Sequence, residues 1–143
     1  MASPVRTALF SALRSDTALT RLLAAPTRRF PAAVYHEAAP LNAPMPYVIF
    51  AAQDPGRPTW TFDGPPAESA IWLVKAVCEG ASATPAEDAA REIDRVLNDA
   101  QLTIADTTLL YIRLASRIGY REQNGPDLWR HVGGVYRLVT EPT

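Results

Sequence analysis

The spacing of apolar residues along this chain runs helical, then strand-like, then helical, then strand-like again. Val5, Ala8, Leu9, Ala12 and Leu13 recur on one face at helical spacing. Ser3-Pro4 supplies a start, with Ser3 as N-cap and proline at the first helical position, where a missing N–H costs nothing. Ser15-Asp16 is placed to cap a second short turn, whose Leu19, Leu22 and Leu23 continue the stripe as core packing until Pro26 ends it. From Pro26 to Pro46 the pattern is that of a loop, with a short extended piece at Ala33-Val34-Tyr35.

The stretch Ala39-Pro40-Leu41-Asn42-Ala43-Pro44-Met45-Pro46-Tyr47-Val48-Ile49-Phe50 divides the chain. Each proline fixes its own φ near about −65°, removes a backbone donor and biases its predecessor towards extended geometry. The segment therefore enters as a stiff, unpaired connector and becomes a paired strand over Tyr47–Ala52. Ile71 to Cys78 is almost continuously apolar, which predicts a central strand covered on both faces, closed by Glu79-Gly80. Lys75 then lies at an edge of that cover or at a subunit boundary.

Between these strands, residues 53–68 are rich in proline and glycine and read as an extended loop or hairpin arm. Thr59-Trp60-Thr61-Phe62 would put both aromatics on one face of such an arm. If the arm projects, its aromatics need another surface to cover them. Folding back on its own sheet is the alternative, and the sequence leaves both open.

Thr84-Pro85-Ala86-Glu87 has the form of a capping box with proline at the first helical position. Ala86, Ala89, Ala90, Ile93, Val96 and Leu97 form the buried stripe of the helix it opens. Arg91, Glu92, Asp94 and Arg95 line the other side as a solvated face. Thr108–Tyr120 then alternates as a strand, with Leu110, Ile112, Leu114 and Ile118 on one face. Tyr111, Arg113, Ala115 and Arg117 share the other, so Arg113 and Arg117 form a basic stripe. After the turn Gln123-Asn124-Gly125-Pro126-Asp127, the last strand runs from Leu128 to Thr140. A flat strand would send Arg130 and Arg137 to opposite faces. A bulge at Gly133-Gly134 would reunite them, with Trp129, His131, Tyr136 and Leu138 inward and His131 a packed or interface residue.

This order predicts an α+β fold over 1–143 as one domain. It is an antiparallel sheet of about four strands, mixed pairing being possible, with two helices packed on one face.

Composition narrows the function more than it names it. A chain of 143 residues, 48% apolar and 20% charged, can bury a real core. Its net charge of −1 gives no bulk attraction to nucleic acid or anionic membrane. No signal-peptide pattern or apolar run of bilayer length is present, so the expectation is a soluble intracellular product. Cys78 is the only cysteine and reads as a small buried hydrophobe. His36-Glu37 reads as a surface loop pair, since metal or acid–base sites need further partners at suitable spacing. There is no phosphate-cradling glycine loop, metal-ligand spacing or activated-serine motif, and only two histidines. No catalytic, cofactor-binding or metal-binding residues are expected, and an enzyme is not.

Three places resemble the tail-terminator or tail-completion proteins of long-tailed, siphovirus-like phages and related particles. They are Ala8-Leu9…Leu13-Arg14-Ser15-Asp16…Leu19…Leu22-Leu23; Val34-Tyr35 followed by Ala39-Pro40…Ala43-Pro44…Pro46-Tyr47-Val48-Ile49-Phe50; and Trp129-Arg130-His131-Val132 with Tyr136-Arg137-Leu138-Val139. The resemblance implies a subunit that closes into a ring, typically a hexamer, on the last disc of the tail tube. Such a ring stops tube growth and offers a surface to the head-tail connector or stopper protein. It implies assembly in the host cytoplasm, a place in the virion tail or neck, no membrane partner, and DNA met only as it passes through the ring. Trp60, Phe62, Arg113, Arg117, Arg130 and Arg137 are the expected assembly contacts. The competing reading is a non-catalytic monomeric or dimeric module that binds a peptide or protein through the Trp60–Phe62 arm.

Overall fold

The computed structural model describes residues 3–59 and 67–142. Helix α1 (Pro4–Ser15) has proline in its first turn, but the Ser3 side chain makes no capping bond. Asp16 does cap: it ends α1 in an extended conformation and accepts the Leu19 N–H at 2.9 Å to open α2 (Thr17–Leu22). The stripe is therefore carried by two separate helices, and with α3 (Thr84–Leu97) the described residues hold three.

The described residues also hold five strands: β1 (Val34–His36), β2 (Tyr47–Thr59), β3 (Ala67–Glu79), β4 (Thr107–Asn124) and β5 (Asp127–Pro142). They form one sheet in the order β1-β2-β3-β5-β4. The strand beyond the expected four is the short extended piece. Val34, Tyr35 and His36 pair in parallel with Val48, Ile49 and Phe50. All other neighbours are antiparallel, so the α+β fold with mixed pairing stands.

Period-two alternation sorts the sheet into a helix-covered face and an outer face. Val48 and Phe50, Trp72, Val74 and Ala76, and Tyr136 and Leu138 point to the helices and are buried with Leu9, Leu13, Leu19 and Ile93. Burying each large side chain contributes about 1.5–3 kcal/mol, so this one layer holds the fold. Phe50 stacks on Trp72 with ring centroids 6.0 Å apart, which ties β2 to β3 within it.

The outer face corrects the expectation for β3. Ile71, Leu73 and Lys75 are only half-buried there, whereas Val77 is closed off. The run is almost continuously apolar, yet the three described helices pack on the opposite face. Cys78 lies on that helix-covered face and is buried, as expected.

The glycine pair does not bulge. β5 pairs with β3 in unbroken register from Glu68↔Thr140 to Glu79↔Trp129, through Lys75↔Gly133 and Val74↔Gly134. The glycines instead allow close approach: a Cβ on Gly133 would lie 2.2 Å from the Val74 carbonyl oxygen. Trp129 and His131 consequently face outward, opposite to Tyr136 and Leu138. The register shifts sit in β4, between Leu109 and Tyr111 and between Leu114 and Ser116. Each leaves one residue unpaired, and the second reverses which face the rest of the strand presents. Leu110 is thereby 49% exposed, and Ile118 moves away from Ile112 and Leu114.

At α3 the capping box is replaced. Ala83 is the N-cap and makes no side-chain bond; Ser82 Oγ accepts the Thr84 N–H at 3.2 Å. The expected buried stripe is present in Ala86, Ala89, Ile93 and Leu97, with Ala90 and Val96 at its margin.

Candidate assembly surfaces

The described parts of 53–68, on either side of residues 60–66, belong to paired strands. β2 continues to Thr59 and β3 restarts at Ala67, with pairs Arg57↔Ser69, Pro58↔Glu68 and Thr59↔Ala67 after two irregular steps around Asp54. Trp60 and Phe62 lie outside the described residues. The last described pair before them is Thr59↔Ala67, antiparallel.

The four arginines do not make a stripe. Arg113 pairs with Arg137 across β4 and β5, and both belong to the outer face. Arg113 sits over the Tyr111 ring at 5.0 Å and reaches Asp99 at 3.2 Å. Arg117, beyond the second register shift, lies opposite Gly134 on the helix side and 3.8 Å from Asp94 of α3. Arg130 also faces the helices and donates to the Ala81 carbonyl at 2.8 Å. Arg113 and Arg137 thus lie on the outer face and Arg117 and Arg130 on the helix side, with Arg113, Arg117 and Arg130 each also meeting a group of the chain itself.

A polar network missed by sequence reasoning occupies one end of the outer face. His131, only 5% exposed, stacks on Tyr120 with centroids 4.4 Å apart and planes 6° from parallel. Its Nε2 lies 2.8 Å from Glu122 Oε1, while Lys75 donates to the Tyr120 hydroxyl at 2.6 Å. Burial lowers the His131 pKa, the Glu122 hydrogen bond opposes this, and the nearby Lys75 charge lowers it further, for a net decrease. The signal was in the hairpin turn. Gly125, at φ 62°, suits the first position of a two-residue turn. Such a turn fixes Tyr120 opposite His131 and Glu122 opposite Trp129.

Beside this network lies a groove of about 670 Å³ between the sheet and the proline connector, lined by Leu41, Met45, Glu79, Glu122, Asp127 and Trp129 among others. Leu41 is 84% exposed on its lip. His36 packs with its ring tilted against Phe50 and Trp72, with Glu37 3.8 Å away at the surface. Among the described residues no group of three or more His, Cys, Asp or Glu could hold a metal ion. No described helix is long and apolar enough to cross a membrane.

The class is an α+β domain in which one mixed sheet carries helices on a single face and leaves the second face half-exposed. Residues 7–141 match the family Tail completion protein gp17, and the chain belongs to it. It is accordingly a structural protein of phage-type tails, made to meet other tail and head components. Two solved structures share the fold. A chain from the virion of a native gene transfer agent particle superposes with a TM-score of 0.75 at 18% identity, covering 96% of this chain and 95% of its own. A second has a TM-score of 0.58 at 17% identity, with coverage of 98% and 95%. No curated protein sequence is significantly similar.

Proposed function

We propose that this protein is a ring-forming tail terminator without chemistry of its own. Copies of it close into a ring, six being the number the family resemblance implies, on the last disc of the tail tube. The ring stops tube polymerisation and carries the attachment surface for the head connector or stopper. It assembles in the host cytoplasm and stays in the tail or neck of the particle, with DNA only passing through its lumen. The gene-transfer-agent neighbour supports a particle of that kind or a related phage.

The observation that carries this reading, beyond family membership, is the outer sheet face. Ile71 and Leu73 of β3 and Val135 and Val139 of β5 are only half-buried there. A subunit that assembles covers such a face, and a rotationally repeated head-to-tail contact closes it into a ring. Trp60 and Phe62 on the arm, with Arg113 and Arg137 on the outer face, are the assembly contacts we assign. Arg117 and Arg130, on the helix side, are assigned the same role.

The test is mass across a concentration series, by light scattering and native mass spectrometry, with and without tube protein. A discrete ring in either condition is the expected result. A strict monomer or dimer in both overturns it in favour of a peptide- or protein-binding module. Trp60→Ser with Phe62→Ser should weaken assembly while the monomer stays folded; unchanged assembly removes the arm from the contact.

A further inference from the structure

Two oppositely charged features of the subunit have no ion-pair partner among the described residues and complement each other. The first is a turn between α2 and β1. Thr27 N–H donates to the Phe30 carbonyl at 2.9 Å, and Phe30 N–H donates to Thr27 Oγ1 at 3.0 Å. These two bonds hold Arg28 and Arg29 at the apex, both exposed. The Arg29 guanidinium rests over the Phe30 ring at 5.3 Å, and neither arginine has an acidic partner among the described residues.

The second feature is the groove under the proline connector. Glu79 and Asp127 line it exposed and have no ion-pair partner among the described residues. Its lysine, Lys75, is committed to Tyr120. Its buried histidine, His131, spends Nε2 on Glu122, so that nitrogen carries the proton and Nδ1 is left an acceptor without a partner. Exposed carboxylates beside apolar walls (Leu41, Met45, Trp129) suit a flat, multi-donor cation on an aliphatic stem. That is a guanidinium, and a lysine ammonium lacks the fork.

We infer that the Thr27–Phe30 turn of one copy seats Arg28 and Arg29 in the acidic groove of the next copy. The inference rests on the ring reading above and names the contact that closes it. The turn lines no part of the groove, so the contact joins two different surfaces of the chain. That is the head-to-tail relation a ring requires.

Charge reversal tests it on the full chain with tube protein present. Arg28→Glu with Arg29→Glu, or Glu79→Arg with Asp127→Arg, should each weaken assembly at least about tenfold while the melting temperature of the monomer holds. A chain carrying all four substitutions should close again. So should an equal mixture of the two reversed variants, by alternating around an even-numbered ring. Wild-type rings that either reversal leaves intact overturn this contact alone, as does failure of both the four-fold variant and the mixture to recover. Rings that persist but no longer dock on the tube also overturn it, and assign the groove to tube protein. A wild-type chain that stays monomeric overturns the ring reading and this contact together.

Discussion

Tyr136 of β5 donates its hydroxyl to Asp94 of α3 across 3.1 Å, beneath the helix that covers the sheet. Burial first, then the Asp94 charge and hydrogen bond, pushes the Tyr136 pKa well up, with Arg117 opposing in part. The phenol therefore stays protonated and donating throughout the usable pH range. Tyr136→Phe keeps the packed ring and removes only this bond, so it should cost about 1 kcal/mol. Urea unfolding checks it, and in Asp94→Ala the same tyrosine substitution should be close to neutral. Equal costs in both backgrounds would show that the bond contributes nothing.

Gly133 and Gly119 pair with neighbouring positions on facing strands yet should respond oppositely to alanine. A Cβ at Gly133 meets the Val74 oxygen at 2.2 Å and the Lys75 Cα at 2.5 Å, both backbone atoms that cannot step aside. Nothing lies within 4 Å of the same atom on Gly119. Gly133→Ala should destabilise by about 1–3 kcal/mol, and Gly119→Ala should be neutral or stabilise by up to about 1 kcal/mol. Denaturant midpoints of the two variants decide it. A tolerated Gly133→Ala would mean that β3 and β5 can separate there without cost.

Elements written in local patterns were legible in the sequence: the leucine stripe, the connector, the alanine-faced helix and the alternating strands. What failed was the sorting of residues between faces, because a single unpaired residue reverses every side chain after it. Arg113 and Arg117 look like partners in any flat strand. The register shift between Leu114 and Ser116 separates them, and nothing local to Ala115 announces it. The glycine pair invited a bulge for the same reason. The pairing shows those glycines serving close strand approach, a tertiary requirement invisible to alternation. The Tyr120–His131 stack could have been derived from the two-residue turn; the groove beside it depends on where the connector lies.

Asp16 joins the first helices to the third. It caps α2 and accepts from Arg95 Nη2 at 2.6 Å. Burial raises its pKa, but the Arg95 bond and charge and the N–H groups of Leu19 and Ala18 outweigh this, leaving it below the usual 3.8. With a depressed folded pKa, this contribution is complete above about pH 4 and is lost as pH falls through the folded value. Asp16→Ala removes cap and pair together and should cost about 1–2 kcal/mol at neutral pH. Asp16→Asn retains an acceptor for the cap and should cost about 1 kcal/mol or less. Thermal melts at neutral pH and near pH 3 should show the difference from wild type shrinking in acid. A difference that stays constant would assign the loss to something other than ionisation.

His131 gives the opposite end of the sheet its own pH response, and the sign follows from the net lowering of its pKa. Below the ordinary value of 6.5 the unfolded chain takes up a proton that the folded chain refuses. Stability therefore falls as pH drops from about 6.5 towards the folded pKa, and becomes flat in this contribution below it. The groups facing the ring set how far: Glu122 favours the charged form, whereas burial and Lys75 disfavour it. Glu122→Gln should consequently lower the folded pKa further and extend the sloping window to lower pH. His131→Gln should abolish this component of the slope, read from urea midpoints between pH 7.5 and pH 5. If that variant folds poorly, NMR titration of the His131 ring in wild type and Glu122→Gln gives the same answer directly. A His131 that titrates above 6.5 would reverse the sign and show that Glu122 outweighs burial.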